Sequence, residues 1–581
     1  MPRVNDEVAE LLQEYSDLIS ISGGDPHKAR AYEKAARSVG GYHADLSGLD
    51  DKTLNRIPNV GKSIAVKIRE YLDTGTIESL EDLRAEIPEG VRALMSIPTL
   101  GPKKALKLYE ELKVASLEEL LDALHEGKLR GVPGFGPKTE ENLIRGIQLM
   151  QRSGDRVQLG MALDLAEEIL GELRTVREVR RADYAGSLRR MGETIGDIDL
   201  LVASETPVPV MDAFTSMSYV ERVLARGETK SSILTTKGLQ VDLRVVEPSV
   251  WGAALQYFTG SKAHNIRTRE IAVRKGLKLS EYGLFRAKSG RLIVAETEEE
   301  VYERLDLPWI PPTLREDRGE IEAARAGELP VLVQEKDIRG DLHTHTDLTD
   351  GLAPLEEMVA AARQRDLDYY AVTDHAELLY MQRMTKDKIL AQRERLKELE
   401  KEGDLVLLHG TELNIQPDGS VDWDDEFLAG FDVCVASVHS HFNMGKDDMT
   451  KRIVRAMENP YVNIIGHPTA RMIGRRPPIE YDLEEVFRAA ARTGTALEIN
   501  SFPDRLDLND EHILWAKEHE VKFAIDTDSH SPVHLPNVRF GVTQAQRGWV
   551  TKAEVITTYP LTKLKRFLKK GRRGVRGGSS P

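Results

Sequence analysis

The stretch GDIDLLV (residues 196–202) places two carboxylates one residue apart at the start of an apolar run. Side chains at positions i and i+2 of a strand point to the same face, so Asp197 and Asp199 should project together. Two neighbouring carboxylates repel each other unless a cation lies between them. The segment LQVDLRVV (239–246) supplies a third acid, Asp242, on another predicted strand. Three such carboxylates on adjacent strands predict a site for two divalent cations that stabilise phosphoryl transfer.

The segment AGSLRRMGETIGD (185–197) leads into the first two acids. Gly186 and Ser187 form a predicted turn whose amide and hydroxyl can bind phosphate oxygens, and Arg190 adds a cation for the same anion. Gly-Ser, an Asp-x-Asp pair about ten residues later and a distant Asp are together typical of nucleotidyltransferases. An Asp-x-Asp pair alone would be weak support, because such pairs are common at strand edges.

Composition restricts the class of protein. The chain has 581 residues, of which 40% are hydrophobic and 30% charged, as in a soluble globular protein. This length predicts about three or four domains. The single cysteine, Cys434, cannot form an internal disulfide, which favours a reducing compartment. The acidic N-terminus does not fit a signal peptide, and no apolar run approaches the ~20 residues of a membrane span.

The charge balance bears on nucleic-acid binding. The net charge is −15, from 80 basic and 95 acidic residues, and this sign argues against a general electrostatic attraction to DNA. DNA binding therefore has to come from specific motifs. The basic end, KLKRFLKKGRRGVRGGSSP (563–581), is expected to be a solvated tail.

One phrase recurs in the first 150 residues, which are predicted to be mainly helical. It reads IPNVGKSIAVKI (57–68), IPTLGPKKALKL (97–108) and VPGFGPKTEENLI (132–144). Each copy predicts the turn of a helix-hairpin-helix, whose backbone N–H groups and following helix N-terminus bind a phosphate. A single copy could equally be a hairpin without a ligand, but three copies favour binding to the DNA backbone. The residues predicted to contact DNA are Val60, Gly61, Lys62, Leu100, Gly101, Lys103, Phe135, Gly136 and Lys138.

Residues 337–570 alternate short apolar strands with amphipathic helices, which predicts a parallel sheet, most simply a barrel. Histidines and acids recur where these strands end, and the C-terminal strand ends of such barrels carry the chemistry. Nine nitrogen and oxygen ligands without a cysteine fit a multinuclear Zn²⁺, Mn²⁺ or Fe²⁺ site. The nine are His343 and His345, expected on one strand face, with Asp350, His375, Glu412, His439, His467, Asp528 and His530.

The first 315 residues resemble the family X DNA polymerases. The resemblance is carried by YAGSLRRMGETIGDIDLLV (184–202), VDLRVV (241–246) and YFTGSKAHNIRTREIAVRKGLKLSEYGLF (257–285). It implies that the three aspartates bind catalytic Mg²⁺ or Mn²⁺, and that Asp242 is positioned to take the proton of the primer 3′-OH.

The resemblance also implies how the incoming nucleotide is held. The positions that match the triphosphate site are Gly186, Ser187, Arg190 and Gly196, with Arg156 as a further arginine. Tyr257, Phe258 and Gly260 match the segment that lies against the sugar and excludes a ribose 2′-OH. Asn265 and Arg269 match contacts to the minor groove and the template. Lys262 stands where the animal repair polymerase has an acidic residue, so that contact is not carried over.

The N-terminal segments PHKARAYEKAA (26–36) and GKSIAVKIREYL (61–72) resemble the 5′-deoxyribose-phosphate lyase domain. Lys67 falls at the Schiff-base lysine of that domain. Lys28 and Lys62 are the nearby cations that could hold a 5′-phosphate. The alternative is that Lys67 is a solvated lysine of an ordinary helix.

Residues 337–570 resemble the PHP (polymerase and histidinol phosphatase) domain, and all nine positions of its trinuclear cluster are filled. The resemblance implies one ion on His343, His345, Glu412 and Asp528. Glu412 would bridge to a second ion on His439 and His467, and Asp350, His375 and His530 would hold a third. Arg471, just past GHPTA, could contact a phosphate.

The expected fold class is multidomain α+β and α/β: a helical helix-hairpin-helix N-terminal region, a nucleotidyltransferase palm with thumb, and a C-terminal distorted (β/α)7 PHP barrel. The expected domains are a lyase-like domain (1–90), fingers (91–154), palm (155–255), thumb (256–315), a linker (316–336), the PHP phosphoesterase domain (337–570) and a basic flexible tail (571–581).

The expected function is a DNA repair polymerase that fills short gaps with dNTPs, joined to a PHP 3′–5′ exonuclease or phosphoesterase in base excision or end repair. Apurinic endonuclease, 3′-phosphatase and lyase activities are possible additions. We expect Mg²⁺ or Mn²⁺ at the polymerase site and two or three ions of Zn²⁺, Mn²⁺ or Fe²⁺ in the PHP domain. The partners would be gapped or primed DNA, without a membrane, for a cytoplasmic, nucleoid-associated monomer. The alternatives are a DNA-end-binding scaffold with silent centres, or a polymerase fused to a small-molecule phosphatase.

Overall fold

The computed structural model describes residues 4–569 except 23, 41, 43–45, 58, 88, 96–99, 101, 137, 138, 141, 142, 145, 146, 148–155, 380, 381 and 383. The predictions for Gly101, for Lys138 and for the tail 571–581 lie outside these residues. Within the described part of the chain, no helix is both long enough and apolar enough to cross a membrane.

The N-terminal region is helical throughout its described residues, as expected. Apolar side chains from successive helices meet in one core that runs from Val8 to Ile147. The α-helices are α1 (Val4–Ile21), α2 (Pro26–Gly40), α3 (Asp51–Leu54), α4 (Lys62–Thr74), α5 (Glu78–Glu86), α6 (Glu89–Met95), α7 (Pro102–Leu112) and α8 (Leu117–His125), with 3₁₀ turns at Leu46–Gly48 and Lys128–Gly131.

The next region is built on a five-stranded sheet in the order β2-β4-β7-β6-β5, in which only β4 and β7 pair in parallel. The short strands β1 and β3 pair separately. The strands are β1 (Val157–Gln158), β2 (Arg181–Tyr184), β3 (Thr194–Ile195), β4 (Asp197–Ala203), β5 (Val220–Arg226), β6 (Lys230–Thr235) and β7 (Gln240–Val246). The helices of this region are α9 (Leu159–Thr175), α10 (Gly186–Arg189) and α11 (Pro207–Thr215).

A smaller helical unit with a three-stranded antiparallel sheet follows. Its elements are α12 (Trp251–Thr259), α13 (Lys262–Arg274), β8 (Leu277–Ser280), β9 (Gly283–Arg286), β10 (Leu292–Val294) and α14 (Glu298–Arg304), with 3₁₀ turns at Pro248–Val250 and Pro312–Leu314.

The segment 316–336, expected to be a linker because of its charge, is folded. It contains α15 (Glu320–Ala326) and runs to a 3₁₀ turn at Glu335–Asp337. Ile321 and Leu332 are buried in the core of the preceding unit, while Val333 is buried in the core of the following one. The segment therefore joins the two units through packed apolar side chains.

The C-terminal region is a sheet of seven parallel strands in sequence order, and this confirms the predicted barrel. A parallel bridge between Thr344 and Ser529 brings the first strand region next to the last, so the barrel is nearly closed. The strands are β11 (Gly340–Asp341), β12 (Tyr369–Val372), β13 (Val406–Asn414), β14 (Val433–Ser437), β15 (Ile464–Ile465), β16 (Ala496–Asn500) and β17 (Phe523–Asp526). The expectation that His343 and His345 lie within a strand is wrong, because β11 ends at Asp341.

Helices cover the outside of this barrel, as the strand–helix alternation predicts. They are α16 (Leu355–Gln364), α17 (Lys386–Glu400), α18 (Asp425–Leu428), α19 (Lys446–Glu458), α20 (Leu483–Thr493), α21 (Asp510–Glu518), α22 (Val538–Arg547) and α23 (Leu561–Leu568), with 3₁₀ turns at Pro532–Asn537, Lys552–Glu554 and Ile556–Thr558.

The barrel is docked on the five-stranded sheet unit through a shared core. Leu506 and Phe540 of the barrel region are buried among the side chains of α9 and the sheet. A Cβ at Gly160 would lie 3.2 Å from Pro503 Cβ, so the start of α9 approaches the 502–508 loop closely. Arg539 pairs with Asp164 of α9 at 3.1 Å. The two units therefore have fixed relative positions.

Candidate active sites

The three aspartates of the first candidate site meet on neighbouring strands. In the parallel pairing of β4 and β7, Asp199 lies opposite Asp242 and Asp197 lies opposite Gln240. Asp197 is exposed, whereas Asp199 and Asp242 are partly buried. The arrangement gathers three carboxylates at one end of the two central strands.

Burial, together with the neighbouring carboxylates of Asp197 and Asp242, raises the pKa of Asp199 to about 6. For Asp242 the net shift of the pKa is downward: burial raises it, but hydrogen bonds from Lys230, Gln240 and Ser232 outweigh burial. Lys230 Nζ lies 2.8 Å from Asp242 Oδ2. Asp199 resists ionisation because it is partly buried and two other carboxylates lie beside it. A divalent cation would offset this repulsion, so the three acids form a favourable cation site.

The Gly186–Ser187 turn lies directly against these acids. Gly186 has a φ of +57°, and a Cβ there would lie 2.2 Å from Asp199 Oδ2. Ala185 N donates to the carbonyl of Asp199 at 2.7 Å, which docks the turn on β4. Only glycine satisfies both the left-handed backbone and this close approach.

The arginines predicted for the triphosphate lie around the same turn. Arg190 donates through Nε to Glu316 Oε1 at 3.0 Å and through Nη1 to the Thr259 carbonyl at 2.6 Å. Arg156 is exposed and donates through Nε to Thr194 Oγ1 at 2.9 Å. Its guanidinium stands over Gly196, where a Cβ would lie 3.0 Å from Nη1. The two arginines therefore lie beside the two ends of the segment that leads into the acids, Arg190 near the turn and Arg156 at Gly196.

The YFTGS segment forms the end of α12 and contacts Arg244 of β7. Phe258 lies under the guanidinium of Arg244, 4.7 Å from ring centroid to Cζ, and makes an edge contact with Tyr257. Asn265 Nδ2 donates to the Tyr257 carbonyl at 2.7 Å, and Arg269 Nε donates to the Asn265 carbonyl at 3.1 Å. These residues form one connected surface, which continues from Gly260 at the end of α12.

The described parts of the three recurring turns each contain a buried apolar residue. Val60, Leu100 and Phe135 are buried in the helical core. Val60 N and Phe135 N each close a turn on a carbonyl three residues earlier, at 3.0 Å. Gly61 is the N-cap of α4, and Lys62 and Lys103 are exposed. Gly136 accepts from Thr139 N at 2.8 Å, as at a helix start.

Lys67 lies in a small polar site rather than in bulk solvent. Its Nζ donates to Ser79 Oγ and lies 5.2 Å from the ring centroid of Tyr15. Lys28 Nζ lies 5.9 Å from the same ring. Two lysines thus face one tyrosine, while Lys62 is exposed at the start of α4.

The nine histidines and acids of the barrel meet in one cluster. Ligand atoms group together within 4.8 Å in three sets: His345, Asp350, His375 and His530; His343, His345 and Asp528; and His375, Glu412 and His439. His467 joins through Nε2, which lies 3.1 Å from Glu412 Oε1. In this geometry His345 and His375 each belong to two sets, whereas the resemblance assigned each of them to one ion.

Several ligand atoms of this cluster are buried without a hydrogen-bond partner in the described structure. They are His343 Nε2, both ring nitrogens of His345, Asp350 Oδ1, His375 Nδ1 and His467 Nδ1. Burying such atoms unpaired is costly, and most of them point into the cluster. Glu412 lies at its centre: burial alone would raise the pKa of its carboxyl, but His439, His375 and His343 hold it well below the usual value. This donor set fits divalent cations.

Outer residues fix the orientation of the ligands. Glu498 Oε1 lies 2.7 Å from His343 Nδ1, and Asn414 Oδ1 lies 2.8 Å from His439 Nδ1. Such partners set the tautomer of a ligating histidine. Neither residue was predicted from the sequence: Asn414 ends β13, whereas Glu498 lies in the middle of β16.

Arg505 is the basic side chain next to the cluster. Its Nε lies 3.4 Å from Asp528 Oδ2, and its buried Nη1 has no partner among the described residues. Arg471 instead donates to the Arg505 carbonyl at 2.9 Å and to Glu193 beside β3 at 2.7 Å. Arg471 therefore connects the two units rather than facing the cluster.

Comparison with known families matches four segments of the chain. A helix-hairpin-helix domain matches residues 3–77, and a SAM-like helix-hairpin-helix tandem matches 91–148. The DNA polymerase beta thumb matches 254–316, and the PHP domain matches 341–502.

Known proteins are similar to this chain over its whole length or over one part of it. The DNA polymerase/3′-5′ exonuclease PolX of Bacillus subtilis is 36% identical over 97% of this chain and 99% of its own length. A probable phosphatase of a Thermoanaerobacter species is 31% identical over 41% of this chain, and rat DNA polymerase lambda is 24% identical over 54%. The likeness to PolX over nearly the full length of both proteins shows that this chain belongs to the family X DNA polymerases that carry a C-terminal PHP domain.

Proposed function

We propose that this chain is a DNA repair polymerase that fills short gaps with dNTPs, and that its PHP domain trims 3′ ends. The observation that carries the polymerase half is the register of β4 and β7, which puts Asp199 opposite Asp242 beside the Gly186 turn. The proposed domains keep the boundaries expected from the sequence, with 316–336 as a folded connection. We propose a cytoplasmic monomer.

In nucleotide addition, Asp197, Asp199 and Asp242 would hold Mg²⁺ or Mn²⁺, which supplies charge neutralisation for the attacking and leaving oxygens. Asp242 takes the proton of the primer 3′-OH. Ser187 and Arg190 hold the triphosphate from one side and Arg156 from the other. Phe258 and Tyr257 fill the space beside the sugar, where a 2′-OH would clash.

The grip on DNA comes from the helix-hairpin-helix turns. Their buried apolar residues fix the loop, and their exposed lysines and amides face outward, as with Val60 and Lys62. Backbone amides bind phosphates without reading sequence, which suits an acidic protein that must work at any gap. Asn265 and Arg269 contact the nascent base pair and template.

In the PHP domain, two or three ions of Zn²⁺, Mn²⁺ or Fe²⁺ held by the nine clustered residues would supply Lewis-acid activation for phosphoester hydrolysis. Glu498 and Asn414 hold the ligating rings in place. Arg505 binds a non-bridging phosphate oxygen of the terminal nucleotide. The exonuclease in the name of the Bacillus relative supports a DNA 3′ end as the substrate.

The likeness of the PHP part to a probable phosphatase supports a second candidate, hydrolysis of phosphomonoesters. A DNA 3′-phosphate would fit both candidates. Hydrolysis of histidinol phosphate without removal of a primer 3′ nucleotide would select the small-molecule phosphatase. In the N-terminal region, Lys28 and Lys62 are proposed to hold a 5′-phosphate at the far side of the gap, with Lys67 as the candidate Schiff-base lysine of a lyase activity.

A one-nucleotide-gap assay on four proteins tests the proposal: wild type, Asp242→Ala, His343→Ala and the double variant. Asp242→Ala should abolish extension and spare 3′ degradation, and His343→Ala should do the reverse. A folded wild-type protein that binds DNA but extends no primer with Mg²⁺ or Mn²⁺ would refute the polymerase and favour a scaffold. Loss of both activities from either single change would contradict two separate centres.

A further inference from the structure

Five alternating charges connect the PHP domain to the nucleotide site, and we call them the charge chain. In the order of their contacts they are Arg318, Asp510, Arg547, Glu316 and Arg190. Arg318 and Glu316 belong to the connecting segment, and Asp510 and Arg547 belong to the PHP domain. Arg318 lies 3.0 Å from Asp510 Oδ2, and Arg547 lies 2.7 Å from the same oxygen. Glu316 Oε1 then lies 2.9 Å from Arg547 Nη1 and 3.0 Å from Arg190 Nε.

The three members of the charge chain nearest the nucleotide site are shielded from water. The side chain of Arg547 is 9% exposed, that of Glu316 19% and that of Arg190 16%. Coulomb interactions between such groups are screened much less than those on an open surface. Arg547 belongs to α22 and Asp510 to α21 of the PHP domain, whereas Arg190 follows the Gly186–Ser187 turn.

Glu316 limits what Arg190 can do alone. The two groups form a direct ion pair, so without a further cation their combined charge is zero. Arg547 donates to the same oxygen of Glu316, which brings the net charge of the three groups to +1. Within the described structure, the side chain of Arg190 donates two hydrogen bonds, through Nε and Nη1, and Nη2 remains for a phosphate oxygen.

Arg547 also holds the backbone of the turn. Its Nη1 donates to the carbonyl of Arg190 at 2.7 Å. The guanidinium therefore fixes both the position and the effective charge of Arg190. In contrast, Arg539 on the same helix pairs with Asp164 and Glu167 of α9.

We propose that Arg547, a residue of the PHP domain, is a positioning residue of the polymerase centre: it neutralises Glu316 and so leaves the charge of Arg190 available to the triphosphate of the incoming nucleotide. This inference rests on the proposed function, since it needs a bound dNTP. It makes nucleotide affinity in one catalytic unit depend on a side chain of the other.

The test is steady-state extension of a one-nucleotide gap by full-length protein at varied dNTP concentration. Arg547→Met should raise KM for dNTP about tenfold, the effect of losing roughly one charge-assisted interaction, with kcat changed less. Affinity for gapped DNA and 3′ degradation should stay at wild-type levels. Asp510 keeps Arg318 as its partner in this variant, so the fold is expected to survive. The matched control is Arg539→Gln, which should leave KM unchanged.

A double variant separates charge from mere packing. Glu316→Gln removes the acid that Arg547 neutralises, so Arg547→Met/Glu316→Gln should recover most of the lost affinity for dNTP. A purely structural role of Arg547 predicts no such recovery. If Arg547→Met does not fold, Glu316→Gln alone still decides, because removal of the acid that opposes Arg190 should lower KM for dNTP.

Three results would overturn the proposal: a wild-type KM in Arg547→Met, a double variant no better than Arg547→Met, or a KM in Glu316→Gln that is unchanged or raised. A wild-type protein that extends no primer would instead refute the proposed polymerase function, and the two failures are therefore distinguishable.

Discussion

Replacing Asp199 with asparagine should make the metal-free protein more stable while it abolishes primer extension. In the folded chain the pKa of Asp199 is about 6, against an ordinary value of 3.8. Because the folded-state pKa is raised, ionising this carboxyl costs folding free energy. The cost is absent below pH 3.8, where both states are protonated, and is complete above pH 6.

The shift from 3.8 to about 6 corresponds to at most about 3 kcal/mol, at about 1.4 kcal/mol per pKa unit. Asparagine has the shape of the acid and no charge, so the variant avoids this cost. At pH 5 the folded carboxyl is mostly protonated, and the gain should fall to about half.

Hydrogen exchange of β4 amides in the presence of a chelator measures this gain locally. At pH 8, Asp199→Asn should slow exchange within 197–203 by roughly a hundredfold, and Mg²⁺ should slow it in the wild type. Asp212→Asn, which alters an exposed carboxylate of the same unit, is the control and should change nothing. Equal exchange in wild type and Asp199→Asn at pH 8 would refute the reasoning.

Three further changes test other parts of the molecule. Glu298→Gln should destabilise the protein by about 3–5 kcal/mol in urea unfolding, because it leaves Arg189 and the fully buried Arg315 without their shared acid; a loss below about 1 kcal/mol would contradict this. Glu498→Gln should weaken metal binding by about 10- to 100-fold in competition with a chelator, with primer extension unaffected, and unchanged affinity would remove Glu498 from the support of His343. Gly186→Ala should reduce extension at least about tenfold and leave 3′ degradation intact, since its Cβ would meet Asp199; normal extension would show that the turn can shift.

Local chemistry is the part of this molecule that the sequence reveals. The Asp-x-Asp pair could be predicted because strand periodicity places its two side chains on one face. The Gly-Ser turn and the histidines could be predicted because their residue types recur at fixed spacing beside apolar runs. The parallel strands of the barrel are near-continuous apolar runs such as FDVCVASV, which favours the right fold class. The prediction that His343 and His345 lie in a strand failed, because β11 ends at Asp341 and only an isolated bridge at Thr344 follows it.

Contacts between distant segments were not predictable in the same way. The hairpin of β5 and β6 was not expected, because β5 is an edge strand that is exposed along almost its whole length and has no strict alternation of apolar residues. Nothing in the local sequence distinguishes Arg505 and Arg547 from other arginines. Their roles follow from the ion pairs with Asp528 and Glu316, which only the fold brings about. The high content of charged residues predicted a linker at 316–336. The segment is folded because Ile321 is buried in the apolar core of the preceding unit.

The burial of Leu506 and Phe540 among the side chains of α9 has a practical consequence for dissecting the protein. A truncated protein that ends before the barrel would expose the apolar surface of α9 that these two side chains now cover. The isolated barrel would expose Leu506 and Phe540 themselves. Both fragments should therefore aggregate, or require a detergent to stay in solution. Assigning the two chemistries is better done by point changes in the intact chain than by cutting it in half.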